Sequence, residues 1–302
     1  MGKKVGEYIG FTMSWRTVII SNPAKLDFKM GYLVIRTSET KKVLIDEIEI
    51  LLIENPAVSI TGCLLEVLTE KKVKVIFCDS KRNPSSELIP YHGSHDSSAK
   101  IRMQIKWSDD IKAIIWREII SEKIRKQAEF LEEIHKESEA ELLSTYIGQV
   151  ELLDASNREG HAAKVYFNAL FGMNFTRSAE IPINAALNYG YSIILSAFTR
   201  EVAANGYLSQ IGIFHDNMFN HFNLACDLME PFRIVVDRFV KNNIPEKFDK
   251  DEKHYMWNLL SQVVQIDGNK QMLDKAIKIY TKSIFDSINE GDPSYIRFYQ
   301  IL

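Results

Sequence analysis

The chain has 302 residues, a formal net charge of −3, 25% charged residues and 46% hydrophobic ones. That length suits one large domain or, more naturally, two, and the composition is that of a globular protein rather than a disordered one. The charge provides no global basic field, so contact with a nucleic acid has to come from local patches or from a partner. No run approaches the roughly 18 apolar residues of a membrane span.

Residues 1–12 read as a weakly attached leader without function, a tag remnant or a segment before an alternative start at Met13. No secretory signal is legible there. The three cysteines (Cys63, Cys78 and Cys226) form no CxxC pair, so the expectation is a cytoplasmic protein with buried free thiols. From 15 to 79 the pattern is that of strands. Residues 15–21 are rich in β-branched side chains, Asn22-Pro23 interrupts them, and 31–36 reads as the next strand. Short strands are expected at 43–45, 48–53 and 58–60, a helix over 62–69, and a buried strand over 73–79. The spacing suits a small sandwich or meander more than a βαβ repeat. The basic clusters Lys71-Lys72-Lys74 and Lys81-Arg82 read as solvated faces, with DNA contact as the other use.

Residues 81–98, with Pro84, Pro90, Gly93 and several serines, read as a linker. Beyond it the period changes to that of helices: a long pattern over 97–135, then 162–171, 183–205, 222–241, 251–265 and 269–289. The fold class is therefore α+β. A small N-terminal β-rich, sandwich-like domain over 13–80 precedes a larger all-α domain over 99–302. The apolar end, Ile296-Arg297-Phe298-Tyr299-Gln300-Ile301-Leu302, is expected to dock on this chain or on a partner.

Asp227 and Glu230 stand three residues apart in an apolar segment, where carboxylates are costly unless paired, hydrogen-bonded or bound to metal. On a helix they share one face. Each also has a plain structural use, as a cap or as a partner of Arg233 or Arg238, and Pro231 disfavours an α conformation at Glu230, placing a helix start at Pro231. Glu159 opens an amphipathic segment, where a carboxylate also serves simply to complement the helix dipole or close a cap. His215, among aromatics, is either a core histidine or a ligand. On a continuous helix His215 and Glu230 would lie about 22 Å apart at 1.5 Å per residue, so a shared ion demands a chain reversal between them. Asn217, Asn220 and Asn223 suit such a break. Two carboxylates and a histidine fit Mg²⁺ or Mn²⁺. His92 and His95 with Cys63 or Cys78 could make a mixed zinc site, but their setting reads as polar loop.

Three segments occur in order: Asn157-Arg158-Glu159-Gly160-His161-Ala162-Ala163-Lys164-Val165-Tyr166-Phe167, Gly212-Ile213-Phe214-His215 and Asp227-Leu228-Met229-Glu230-Pro231-Phe232-Arg233. The set resembles the CRISPR-associated integrase family Cas1, especially its type II branch. Residues 14–18, 76–82 and 91–98 are similar to that branch as well. The resemblance implies a homodimer, assembled with the small partner Cas2, that inserts short foreign DNA at CRISPR repeat ends by attack of a DNA 3′-hydroxyl on a phosphodiester. It carries the family's catalytic metal ligands onto Glu159, His215 and Glu230, with Asp227 as a supporting acid and Mg²⁺ or Mn²⁺ as the ion. A stand-alone metal-dependent DNA nuclease and a non-catalytic scaffold with ion-paired acids are the competing expectations.

Overall fold

The structure, a computed structural model, describes residues 16–80, 82–89, 94–243 and 246–302. The leader, Trp15, Lys81, Pro90 and His92 lie outside the described residues. The chain divides into two compact units, 1–90 and 91–302. Among the described residues no helix is long and apolar enough to cross a membrane.

The first unit contains β1 (Arg16–Ile20), β2 (Ala24–Lys29), β3 (Tyr32–Arg36), β4 (Thr40–Leu44), β5 (Ile48–Ile53), β6 (Val58–Ile60), α1 (Gly62–Glu70), β7 (Lys74–Cys78) and β8 (Pro84–Glu87). They form two four-stranded sheets, ordered β1-β5-β7-β8 and β4-β3-β2-β6. Leu26, Leu33, Leu51, Leu64, Leu68 and Val75, drawn from both sheets and α1, share one core, which is the sandwich expected. The second sheet contains the meander β2-β3-β4, but the first pairs β1, β5 and β7 in parallel. Parallel neighbours require crossovers, and α1 lies on the one between β5 and β7. The spacing argument against βαβ connections thus fails for this sheet. Strand β8 runs through the segment read as linker, with Pro84 at its start on a sheet edge, where a missing N–H costs nothing. Lys74 is buried against Glu87 and so is not solvated as expected, while Arg82 stays part-exposed and bonds Glu54 at 3.0 Å. Cys63, expected buried, is exposed.

The second unit contains α2 (Ser97–Gln104), α3 (Asp109–Glu133), α4 (Glu137–Ile147), α5 (Arg158–Phe171), α6 (Pro182–Ala204), α7 (Asn223–Met229), α8 (Arg233–Asn242) and α9 (Lys250–Met256). The elements β9 (Val263–Ile266), β10 (Asn269–Met272), α10 (Leu273–Glu290) and β11 (Tyr299–Ile301) complete it. It is helical, as expected, with one addition: β9, β10 and β11 make a small antiparallel sheet. The β9–β10 hairpin turns at Asp267-Gly268, both at positive φ (51° and 74°), a two-residue loop whose Asp-Gly signal the helical reading of 251–265 and 269–289 passed over. The apolar C-terminal residues dock on this chain, with Tyr299 opposite Ile266 and fully buried.

The helical pattern over 97–135 is broken between α2 and α3. Ser108 caps α3 by accepting the N–H of Ile111. Gln104, buried at the end of α2, donates to the carbonyls of Leu208 and Ile211 and accepts the N–H of Leu208. The irregular chain after α6 is thereby tied to α2 (just ahead of the segment that carries His215).

Candidate metal site

Glu159 stands in the first turn of α5, and the approach to that helix is unusual. Leu153, Asp154 and Asn157 have left-handed backbones, with φ of 58°, 48° and 52°. Such residues hold only where the surroundings over-determine them. The nearly buried Asp154 carboxylate does so by accepting the N–H groups of Arg158 (2.8 Å) and Glu159 (3.0 Å). Asp154 therefore serves the cap that a carboxylate at Glu159 could have provided. Gly160 leaves room for this left-handed turn: a Cβ there would stand 2.6 Å from the Asn157 side-chain oxygen and would displace the Asn157 amide. With the cap supplied from upstream, Glu159 turns to Lys123 of α3, whose ammonium Nζ lies 2.5 Å from its Oε1.

Lys123 also reaches Glu230, at 2.6 Å from Oε2. Glu230 is not at a helix start. Its φ of −52° and ψ of −46° are α-helical, and the chain runs from α7 through a 3₁₀ turn at Glu230–Phe232 into α8. The preference against α before proline is overridden because the 3₁₀ turn lets Pro231 occupy its second position without needing its missing N–H. The turn is packed from below by the C-terminal strand: Tyr299 donates to the Pro231 carbonyl at 3.0 Å and its ring lies 4.3 Å from that of Phe232. Arg233 grips Glu230 from the other side, through Nε to both oxygens (3.0 and 2.9 Å) and through a terminal nitrogen at 2.9 Å. Burial alone would push the Glu230 carboxyl up, but the charges of Lys123 and Arg233 outweigh it and hold the group at about 2.

The chain reversal demanded between His215 and Glu230 is present. Asn217 and Asn220 accept the N–H groups of Phe219 and Phe222, and Asn223 donates to the carbonyls of Gln210 and Asn217, closing the loop. Asp227, fully buried, accepts the N–H groups of Ile213 (2.6 Å), Phe214 (3.0 Å) and His215 (3.1 Å), and meets His215 Nδ1 at 2.5 Å. Gly212 is needed beside it, since a Cβ would stand 2.7 Å from the Asp227 Oδ2. Both Asp227 oxygens are thus committed to the loop. The hydrogen bond to Asp227 raises the His215 pKa, burial opposes it, and the charges of Glu230 and Glu159 add to the rise. In the neutral ring a carboxylate partner keeps the proton on Nδ1 and frees the Nε2 lone pair. Trp116, also on α3, packs edge-on against the ring at 5.7 Å between centroids and stacks on Phe214 at 4.4 Å.

The residues singled out from sequence therefore divide. Glu159 and Glu230 share one cation, His215 lies within their electrostatic reach, and Asp227 orients His215 rather than facing the same cation. Among the described residues no three His, Cys, Asp or Glu side chains converge as a ready metal cluster. The donor chemistry nevertheless fits a hard divalent ion: an ammonium held between two carboxylates marks a place where positive charge is stabilised. Lys123, Asp154 and Arg233 complete the constellation. Of these, sequence reasoning named only Arg233, as a possible ion-pair partner.

The family profile described as CRISPR associated protein Cas1 matches residues 17–276. A curated relative, the CRISPR-associated endonuclease Cas1 of Neisseria meningitidis serogroup C, is 35% identical over 226 residues, 74% of each chain. Among solved structures, a casposase bound to integration product superimposes with a TM-score of 0.74 at 17% identity, covering 92% of both chains. A chain of a Cas6-RT-Cas1–Cas2 complex gives 0.73 at 15% identity, with 99% of this chain covered but only 37% of that longer one. The two structures show the fold; the family profile, with that relative, shows the lineage. This chain belongs to the Cas1 family.

Proposed function

We propose that this protein is a CRISPR adaptation integrase that joins short DNA fragments to repeat ends by transesterification. The observation that carries the reading is the shared cation: one ammonium bonds both Glu159 and Glu230 beside a histidine fixed by a buried carboxylate. In this reading Glu159, Glu230 and the Nε2 of His215 hold Mg²⁺ or Mn²⁺. When bound, such an ion orients a phosphodiester and stabilises the charge that develops on its oxygens. Asp227 keeps the imidazole in the tautomer that can bind, and Arg233 keeps the Glu230 carboxylate ionised and aimed. The incoming DNA supplies the nucleophile. Its 3′-oxygen bonds to phosphorus, the bond from phosphorus to the target strand's own 3′-oxygen breaks, and the proton lost by the attacking hydroxyl is balanced by one taken up on the departing 3′-oxygen. Phosphodiester bonds are conserved in number, so no energy source is needed, and no protein nucleophile is called for.

A homodimer working with Cas2 in the cytoplasm is part of the proposal. It is supported by the family membership and by the Cas1–Cas2 complex among the structural neighbours. Hydrolysis by the same centre is favoured by the name endonuclease carried by the relative. The salt bridges of Glu230 favour a scaffold with neutralised acids. Incubation with Cas2, a short duplex and a repeat-bearing plasmid, with Mn²⁺ or with EDTA, separates the three. Ion-dependent joining at repeat ends supports integration. Cutting without joining supports the nuclease, and DNA binding with neither supports the scaffold.

A further inference from the structure

We infer that Lys123 competes with the divalent ion for Glu159 and Glu230, so that the centre fills only as this ammonium withdraws. The inference rests on the proposal that those carboxylates bind the ion. Lys123 reaches the site from the middle of α3, seven residues after Trp116 and on the same face. Its Nζ takes one oxygen from each carboxylate, at 2.5 and 2.6 Å. A divalent ion bound by the same pair needs contacts of about 2.0–2.6 Å, which is the space the ammonium fills.

The hydrogen-bond capacity of Glu230 sharpens the argument. A carboxylate offers about four acceptor positions. Arg233 bonds Oε1 through Nε and its terminal nitrogen and Oε2 through Nε, and Lys123 bonds Oε2. These three donors crowd both oxygens, and because Lys123 stands between Glu230 and Glu159, an ion bridging the two enters as a donor leaves. Arg233 is the better anchored: its planar fork is bidentate, its guanidinium lies 4.8 Å from the Tyr191 ring centre, and Tyr191 is itself bonded to Asp237 at 2.5 Å. Lys123 holds its partners through a single nitrogen on a flexible four-carbon stem. It is the donor that yields. In this role it does not bind the ion but sets the concentration at which the ion binds.

The test is Mn²⁺ binding by the full chain without DNA, read by the loss of the free-ion electron paramagnetic resonance signal, with melting in EDTA alongside. Lys123→Met should bind Mn²⁺ at least about tenfold more tightly than the unaltered protein, because a competing charge beside buried carboxylates is gone. It should melt lower in EDTA and recover more on adding Mn²⁺. Lys123→Arg keeps the charge with a stronger grip and should bind Mn²⁺ more weakly. Unchanged or weaker binding by Lys123→Met would overturn the inference. Should that variant fail to fold, Lys123→Arg decides: weaker binding supports competition, and equal or tighter binding contradicts it. Glu230→Gln separates the two levels. If the unaltered protein shows no Mn²⁺ binding that this change removes, the ion-binding reading itself fails.

Discussion

Two buried carboxylates, Asp227 and Asp237, lie behind the side chains of His215 and Arg233, and they behave differently. Asp227 is committed to the backbone of 213–215 and to His215. Replacing it with Asn removes the charge and one acceptor while keeping the shape, so Mn²⁺ affinity or joining should fall about 10–100-fold, the usual effect of losing a partner behind a ligand histidine. An unchanged affinity and joining rate would show that the loop holds His215 without it. Asp237 lies behind Arg233 and Tyr191. Burial pushes its carboxyl up from 3.8 to about 6, against the hydrogen bond from Tyr191 and the charge of Arg233. A folded pKa above the unfolded one contributes stability that is complete below the unfolded value and is lost as the pH rises through about 6. The shift of roughly two units corresponds to about 3 kcal/mol. Urea unfolding of Asp237→Asn should therefore gain on the unaltered protein between about pH 4 and pH 7, and a pH-independent difference would contradict this.

At the scale of elements, what was legible depended on whether the signal was local. The reversal before α7 was readable because Asn217, Asn220 and Asn223 make their turns within a few residues. The Asp267-Gly268 hairpin carried an equally local signal, but its strands have only four residues each and sit between helix-like stretches, so the longer period masked them. Lys123 could not have been found this way. Its partners lie 36 and 107 residues away, and a lysine within a long helix ordinarily reads as solvated surface. The start of α5 was legible only in part: the helix was expected, but not that its cap comes from Asp154 across a left-handed turn. Asp154→Ala should cost about 1 kcal/mol as a lost cap and lower joining more than that cost explains, since Glu159 loses its fixed direction. Joining reduced only in proportion to folded protein would argue that the cap serves stability alone.

For the whole molecule, the β-rich and helical halves were readable from the change of period, whereas the parallel pairing of β1, β5 and β7 was not, because crossovers are properties of topology rather than of any segment. The C-terminal strand joins sequence end to site: Tyr299 supports the turn that carries Glu230. Tyr299→Ala should cost about 3–5 kcal/mol as a large core deletion, visible as a lower urea midpoint. Tyr299→Phe should cost about 1 kcal/mol. Equal costs would show that the hydrogen bond to Pro231 outweighs the ring. The central claim is that this centre transfers a DNA strand rather than activating water. The direct measurement compares fragments ending in a 3′-hydroxyl with fragments ending in a 3′-deoxynucleotide, with Cas2, Mn²⁺ and a repeat-bearing plasmid. Joining by the hydroxyl fragment, lost with the deoxy end and in Glu230→Gln, is the predicted result. Equal plasmid cutting with both ends and no joined product would contradict it.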